Sequence, residues 1–237
     1  KFIKATGLAA EIGYMKVSEP TIAGAVEVLK NQVDDLDKII ALPVFLAPGI
    51  HTNIDIPQLL GLDPLEVDPR CPDGHYLSIA DDVDFDGEIK LLSSIGPRDE
   101  LLDIIDKRIN EALSESKLDD DAKTGILLVT HGSRLHYNKE FATALYNKFE
   151  KTCELPSSFG FMELCGPSIP ESINKLVDEN QLERLVVVPV FIAPGMHTTH
   201  DIPHILGFLD DHEHTHEHHH EHSHDHGHDH THDLTPV

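Results

Sequence analysis

The sequence predicts an α/β fold built from two tandem copies of one unit, each a parallel sheet flanked by helices, with a cleft between the copies. Strand-like and helix-like segments alternate along the chain, an order typical of parallel sheets. Residues 43–61 (PVFLAPGIHTNIDIPQLLG) and 189–207 (PVFIAPGMHTTHDIPHILG) are identical at 13 of 19 positions, which indicates a duplication. The length of 237 residues is enough for two small domains.

The second copy shows the unit most completely. Its first segment, TGILLVTHG, is a short apolar, β-branched run that ends in a turn, as expected of a buried strand. Proline suits the first turn of a helix, so Pro167 marks the start of another element. A loop, APGMHTTHD, then leads into a short helix, IPHILGF. The predicted order is strand, helix, strand, helix, strand, at residues 124–132, 136–152, 158–165, 167–180 and 182–192.

The first copy repeats this order from its second strand onward. Lys1 and Phe2 align with Lys148 and Phe149, so the repeat places about two dozen residues, with a further strand and loop, ahead of Lys1. The first copy also continues into a strand and a helix that the second copy lacks. The predicted elements are a strand at 10–17, a helix at 20–32, a strand at 38–46, a loop at 47–53, a helix at 55–61, a strand near 88–95 and a helix at 97–116.

The chain therefore divides into a first repeat (1–116), a linker (117–123), a second repeat (124–209) and a tail (210–237). The tail has almost no apolar residues to bury, so we expect it to be disordered. Its Asp, Glu, Thr and Ser residues argue against a purification tag, and a dense His/Asp/Glu tract binds divalent metals loosely. Its twelve histidines are His212, His214, His216, His218, His219, His220, His222, His224, His226, His228, His230 and His232.

The composition disfavours several classes of partner and cellular location. Eighteen basic and 42 acidic residues give a formal net charge of −24, which disfavours nucleic acids and anionic membranes as partners. No apolar run is long enough to span a bilayer, and the chain shows no signal-peptide pattern. The three cysteines are odd in number and unclustered, which fits a reducing compartment, so we expect a cytoplasmic protein.

Three side chains of the second repeat are predicted to converge on one rim of its sheet, because ligands of open parallel sheets bind beyond the carboxyl ends of the strands. His131, in the string HGSR, stands at the end of the first strand, Glu163 at the end of the second, and His197 after the third. Two imidazoles and a carboxylate suit a borderline divalent metal such as cobalt, nickel, iron or zinc. The imidazoles could also accept protons near neutral pH.

Alternative roles stay open for several histidines. His51 occupies the position of His197 in the first repeat, and a shared turn could explain both. His200 and His204 are spaced i, i+4 and could chelate a metal, but Ile54 and Gln58 replace them in the first repeat, which favours a surface face. Glu163 corresponds to Lys16, a difference that favours the second repeat as the working copy.

Taken together, these motifs resemble the sirohydrochlorin cobaltochelatases, the small class II chelatase group of the anaerobic cobalamin pathway. The resemblance rests on a strand ending in HGSR, a strand ending in GFME, and a strand that runs into PVF(L/I)APG(I/M)H with DIP behind it. It covers both copies, nearly all of residues 1–209. Related members insert nickel or iron, and several carry a histidine-rich segment.

The resemblance implies a bilobed chelatase with the tetrapyrrole between its lobes. His131 would be a metal ligand and the proton acceptor, His197 the second metal ligand, and Glu163 a substrate contact. Because fused members tend to use their first half, His51 remains an alternative site. The remaining substrate contacts implied are Ser133, Arg134, Ile192, Ala193, Pro194, Gly195 and Met196.

We therefore predict a lyase that inserts cobalt(II) into sirohydrochlorin, with nickel(II) or iron(II) as alternatives. A metal-binding or metal-delivery protein that has lost catalysis is the competing function. The partners would be sirohydrochlorin and a divalent metal, with no cofactor beyond the metal substrate. The protein would be a two-lobed monomer or a homodimer.

Overall fold

The computed structural model describes residues 2–70, 83–119 and 121–209. The predicted histidine-rich tail lies outside these described residues. Among the helices that the model describes, none has both the length and the apolar composition needed to cross a membrane.

The observed elements follow the predicted alternation, and the fold is α/β as expected. The first repeat contains α1 (Phe2–Thr6), α2 (Ile22–Gln32), β1 (Lys38–Ala41), a π-helical turn (His51–Asp55), α3 (Ile56–Leu59), β2 (Glu88–Leu91) and α4 (Asp99–Glu115). The second repeat contains β3 (Thr124–Thr130), α5 (His136–Phe149), β4 (Ser157–Phe161), α6 (Ile169–Asn180), β5 (Arg184–Pro189), a second π-helical turn (His197–Asp201) and α7 (Ile202–Ile205).

The second repeat has a three-stranded parallel sheet in the order β4-β3-β5. Every residue of the central strand β3 is buried, as its unbroken apolar run predicts. Successive side chains of a strand point to opposite faces. Ile126 and Leu128 therefore join one hydrophobic cluster, whereas Leu127 and Val129 join a second that contains Ile202 of α7. The sheet is thus covered on both sides.

Helix α4 belongs to the first repeat in sequence but packs on the sheet of the second. Its buried residues Ile105 and Ile109 lie in the same cluster as Ile126 of β3, Phe141 of α5 and Val188 of β5. In the described part of the second repeat, α5 also packs on this face, and α4 covers it beside β5. The two repeats therefore share a hydrophobic core.

Within the described residues, the first repeat has a smaller sheet, formed by β1 and β2 in parallel. The strand predicted at 10–17 is wrong, since the structure shows there only an isolated bridge between Tyr14 and Thr21. The equivalent strand β4 hydrogen-bonds to β3, and residues 2–70 contain no counterpart of β3 to pair with the segment. A strand needs such a neighbour to satisfy its backbone groups.

Candidate functional site

The loop after β3 brings His131 against Glu163. The backbone N–H of Glu163 donates to the His131 carbonyl at 3.0 Å, so the β3–β4 pairing continues past the end of both strands. Gly132 makes this approach feasible, because its φ is +93° and a Cβ there would lie 1.9 Å from the carbonyl oxygen of Glu163. The side-chain oxygen of Asn138, in α5, accepts from the Gly132 N–H at 3.1 Å and fixes the loop.

The His131 ring presents its Nε2 atom to the Glu163 carboxylate. Its Nδ1 lies 2.8 Å from the carbonyl oxygen of Gly132, which can only accept, so Nδ1 carries the proton. In the neutral ring, Nε2 then holds a lone pair 3.3 Å from Glu163 Oε1, whereas in the imidazolium Nε2 would donate to that carboxylate. Two acceptors at this separation favour a cation shared between them. Ligand bonds of about 2.1 Å meeting at 90–110° would place the two atoms about 3.0–3.4 Å apart.

The His197 ring completes the meeting of the three predicted residues. It begins the second π-helical turn, and its centroid lies 4.7 Å from that of His131, edge to face. Its Nδ1 donates to Asp201 Oδ2 at 2.7 Å, which leaves Nε2 as the ligating or proton-accepting atom. Hydrogen bonds from His200 and from His197 lower the pKa of Asp201, so this carboxylate stays ionised and holds the ring orientation.

The side chains of this cluster remain open to solvent. The exposed fraction is 38% for His131, 47% for Glu163 and 43% for His197, so a substrate can reach all three. Within the described residues, no group of three His, Cys, Asp or Glu side chains has the geometry to hold a metal ion. The three candidates meet in pairs, through His131, rather than around a common centre.

The loop from Ile192 to Met196 is exposed along its whole length, as a surface for substrate contact requires. Two of its residues are large and apolar, with Ile192 49% and Met196 68% exposed. The hydroxyl oxygen of Ser133 accepts a hydrogen bond from the backbone N–H of Leu135 at 3.1 Å, so Ser133 also has a local structural contact. Arg134 is exposed. The substrate contacts predicted for Ser133, for Arg134 and for the loop from Ile192 to Met196 all stay predictions.

His51, the first-repeat equivalent of His197, has a different environment. Its Nδ1 donates to Asp55 Oδ2 at 2.6 Å, as in the second repeat. Asp55 is fully buried and is also bound by the guanidinium of Arg70, which contacts Asp68 at 2.9 Å as well. Burial opposes ionisation, but the hydrogen bonds from Arg70 and His51 hold the pKa of Asp55 below its usual value.

Two residues that shape the site were not predicted from the sequence. Asp201 orients His197, and the signal was the string HxxxD, which occurs at the same position in both repeats. An i, i+4 spacing places two side chains on one face of a helical turn. Asn138 fixes the loop that carries His131, and no sequence pattern distinguished it. The twelve predicted tail ligands, His212 to His232, lie outside the described residues.

Comparison with known proteins places this arrangement in a family. The family model CbiX matches the chain twice, at residues 3–112 and 125–230, so it recognises each repeat separately. The solved structure described as "SirB from Bacillus subtilis with Fe3+" is similar in fold, with a TM-score of 0.62 and 20% identity. The match covers 83% of this chain and 69% of the SirB chain.

Two curated relatives carry the name of one enzyme. "Sirohydrochlorin cobaltochelatase" from Methanothermobacter thermautotrophicus is 46% identical over 93 residues, 39% of this chain and 64% of the relative. "Probable sirohydrochlorin cobaltochelatase" from Halobacterium salinarum is 27% identical over 189 residues, 78% of this chain and 61% of the relative. The matched part thus spans somewhat less than two thirds of each relative. Because the family model covers both repeats, the chain belongs to the CbiX family.

Proposed function

We propose that the protein is a sirohydrochlorin chelatase that inserts cobalt(II) into the macrocycle. The observation that carries the proposal is the meeting of His131 with both Glu163 and His197 at the carboxyl edge of the β4-β3-β5 sheet. The two curated relatives named above support the substrate and the metal.

The first task of such a site is to hold the metal ion on one face of the substrate with part of its water removed. Nε2 of His131 and Nε2 of His197 would supply two neutral nitrogen ligands, and Glu163 Oε1 lies close enough to His131 Nε2 to share the ion. An incomplete set of protein ligands suits an ion that is a substrate, because the ion must leave for the pyrrole nitrogens. Imidazole and carboxylate bind cobalt, nickel and iron alike.

The second task is to remove two pyrrole protons as the metal enters. When the ion leaves His131, its Nε2 lone pair becomes available and takes one proton. Glu163 at 3.3 Å stabilises the imidazolium that forms. The second proton passes to water, since the cluster is open to solvent. The nitrogen that releases the ion would thus take the first proton, and water the second.

The third task is to hold an apolar ring that bears carboxylates. Ile192 and Met196 offer apolar contact to the ring face, beside the metal ligand His197. Arg134 would pair with substrate carboxylates and offset repulsion by this acidic chain. A pocket that holds the ring bent would favour the transition state over the flat product.

The proposal includes sirohydrochlorin and a divalent metal as partners, with no cofactor beyond the metal substrate. It places the substrate in a cleft between the repeats, in either a two-lobed monomer or a homodimer. Three unclustered cysteines support a cytoplasmic location.

An absorbance assay with purified protein and sirohydrochlorin tests this function. Cobalt(II), nickel(II) and iron(II) are added separately, each with a protein-free control for spontaneous insertion. We expect a protein-dependent change in the macrocycle spectrum that is fastest with cobalt. If a folded protein gives no acceleration with any of the three metals, the chelatase function is wrong, and metal binding or delivery becomes the better function.

A further inference from the structure

We propose that Tyr137 and Glu66 form a hydrogen-bonded bridge between the two repeats that positions His131 for metal insertion. Tyr137 lies in the first turn of α5, in the second repeat, and Glu66 lies in the loop that follows α3, in the first. The Tyr137 hydroxyl donates to Glu66 Oε2, and both side chains are half-buried. The effect of the bridge on insertion rests on the proposed function, whereas the bridge itself does not.

The first repeat holds Glu66 through the π-helical turn that begins at His51. The backbone N–H of Leu65 donates to the Asn53 carbonyl at 2.7 Å, and the Asn53 side-chain amide donates to Glu66 Oε1 at 3.4 Å. The same turn contains Asp55, which has no exposed surface. Each oxygen of the Glu66 carboxylate therefore has a donor, and the carboxylate is attached to a buried part of the first repeat.

The start of α5 needs such contacts because it has no cap of its own. Leu135 occupies the N-cap position, and its side chain has no atom that could accept a hydrogen bond. Without a cap, the first backbone N–H groups of a helix lack partners and the helix end frays. Tyr137 instead ties the first turn of α5 to the other repeat, which limits the motion of that turn.

The first turn of α5 in turn fixes the loop that carries His131. Asn138, next to Tyr137, accepts from the Gly132 N–H at 3.1 Å. The Gly132 carbonyl accepts from His131 Nδ1 at 2.8 Å and so leaves Nε2 as the nitrogen that can bind metal. A shift of the turn therefore reaches the His131 ring through two hydrogen bonds. Misplacement of a reacting group by about 1 Å can lower a rate about 100-fold, so even partial loosening should be measurable.

The bridge is tested in solution by the titration of Tyr137, with tyrosine labelled by ¹³C at the ring carbon that bears the hydroxyl. The hydrogen bond to Glu66, burial and the charge of Glu66 raise the pKa of Tyr137 above its usual 10.0, and Glu140 adds to the rise while Asn53 opposes it. We expect Glu66→Gln to lower the pKa of Tyr137 and to leave that of Tyr146 unchanged. The same Tyr137 titration in both proteins would mean that the bridge does not form.

The position of His131 is read by long-range ¹H–¹⁵N NMR of its ring, whose signals are those lost in His131→Gln. We expect Tyr137→Phe to increase the tautomer that carries its proton on Nε2, because the Gly132 carbonyl is then held less firmly. Tyr146→Phe is the matched control, since Tyr146 lies in the same helix and donates to the Ser157 carbonyl at 2.7 Å, within the second repeat. It should leave the His131 tautomer unchanged. An unchanged His131 spectrum in Tyr137→Phe would overturn the positioning role.

Insertion kinetics test the same role through the reaction, with rates expressed per mole of folded protein from urea denaturation. Tyr137→Phe and Glu66→Ala should each lower kcat for cobalt insertion about tenfold, the scale expected for a group that orients a metal ligand indirectly. The double variant should lose no more than either single variant, because both changes break one hydrogen bond. Glu66→Gln retains an oxygen that can accept from Tyr137, so it should recover most of the rate.

Three results would overturn the proposal: an unchanged kcat in Tyr137→Phe, additive losses in the double variant, or an equal loss in Tyr146→Phe. The last of these would mean that any loosening of α5 lowers the rate and that the contact between the repeats has no special part. If the unmodified chain inserts no metal, the proposed function fails, and the two NMR measurements still decide whether the bridge forms and orients His131.

Discussion

The same nineteen-residue segment occurs in both repeats and has two different environments. In the first repeat, the turn and helix that follow His51 are largely buried, and Asp55 has no exposed surface. In the second, the turn that begins at His197 is mostly half-buried, and the side chain of Asp201 is 37% exposed. The local geometry is nevertheless shared, since each histidine donates from Nδ1 to the aspartate four residues later.

The difference lies in what else each aspartate binds. Asp55 is held by Arg70, which connects it to Asp68 and makes it part of a buried ionic network. Asp201 is shared by His197 and His200, both half-exposed. The first copy thus uses the segment for stability, whereas the second leaves its donors accessible beside His131 and Glu163.

Activity should depend on the second repeat far more than on the first. We expect His131→Ala to lower insertion about 100-fold or more, because the variant loses the residue proposed as both metal ligand and proton acceptor. The change His51→Ala, at the position equivalent to His197, should have less than about a threefold effect, since the first repeat carries Lys16 where the second carries Glu163. Initial rates at saturating cobalt measure both.

Two outcomes of that experiment would change the comparison. A large loss with His51→Ala and little with His131→Ala would make the first repeat the working copy. Total cobalt bound, measured by equilibrium dialysis, should barely change in His131→Ala, because the histidine-rich tail remains. A proportional loss of bound cobalt would contradict loose binding by the tail.

Stability should depend on the first repeat in the same way. We expect Asp55→Asn to destabilise the fold by about 3 kcal/mol, because Arg70 would lose the buried carboxylate of Asp55. Asp201→Asn should cost less than about 1 kcal/mol, since its partners are half-exposed. Urea denaturation followed by circular dichroism compares the two variants, and equal losses would refute the structural role of Asp55.

Asp201→Asn should instead affect insertion. The amide can present its N–H₂ to His197 and so favour the tautomer that blocks Nε2 with a proton. We expect about a tenfold loss in kcat/KM for cobalt(II), the usual scale for a group that orients a metal ligand. Asp201→Glu, which retains a carboxylate, should recover part of it. If the Asn variant retains full activity, Asp201 does not position His197.

The convergence of His131, Glu163 and His197 could be predicted because it follows from topology alone. Parallel strands end on one edge of a sheet, so residues at three strand ends must approach one another. The role of Asp201 could not be derived this way. The segment APGMHTTHD has the composition of a loop. Its π-helical backbone is what shows that His197 and Asp201 share a face.

The wrong strand prediction at 10–17 and the packing of α4, which the sequence did not predict, have a common cause. The segment at 10–17 has the composition of a strand but lacks a neighbour, and α4 has the pattern of a first-repeat helix but covers the second sheet. Both outcomes depend on partners distant in sequence. Local periodicity predicts whether a segment forms a helix or a strand. Which element it packs against depends on which surface would otherwise be exposed to water.

The smallest expected difference lies at two equivalent helix starts, Thr21 for α2 and Ser168 for α6. Each side chain accepts from the backbone three residues on, but only Ser168 has a capping box, completed by Glu171. Gly24 stands at that position in the first repeat. We expect Ser168→Ala to cost about 1 kcal/mol and Thr21→Ala about half of that.

The pH dependence of this cap gives an independent check. Hydrogen bonds from the Ser168 backbone and side chain lower the pKa of Glu171 below its usual 4.5. A carboxylate with a depressed pKa in the folded state stabilises the fold above its unfolded pKa, and this contribution disappears as the pH falls through the folded value. The cost of Ser168→Ala should therefore shrink between pH 6 and pH 3, whereas that of Thr21→Ala should stay constant, as denaturation at the two pH values would measure. A constant cost for both would mean that the Glu171 carboxylate adds nothing to the cap.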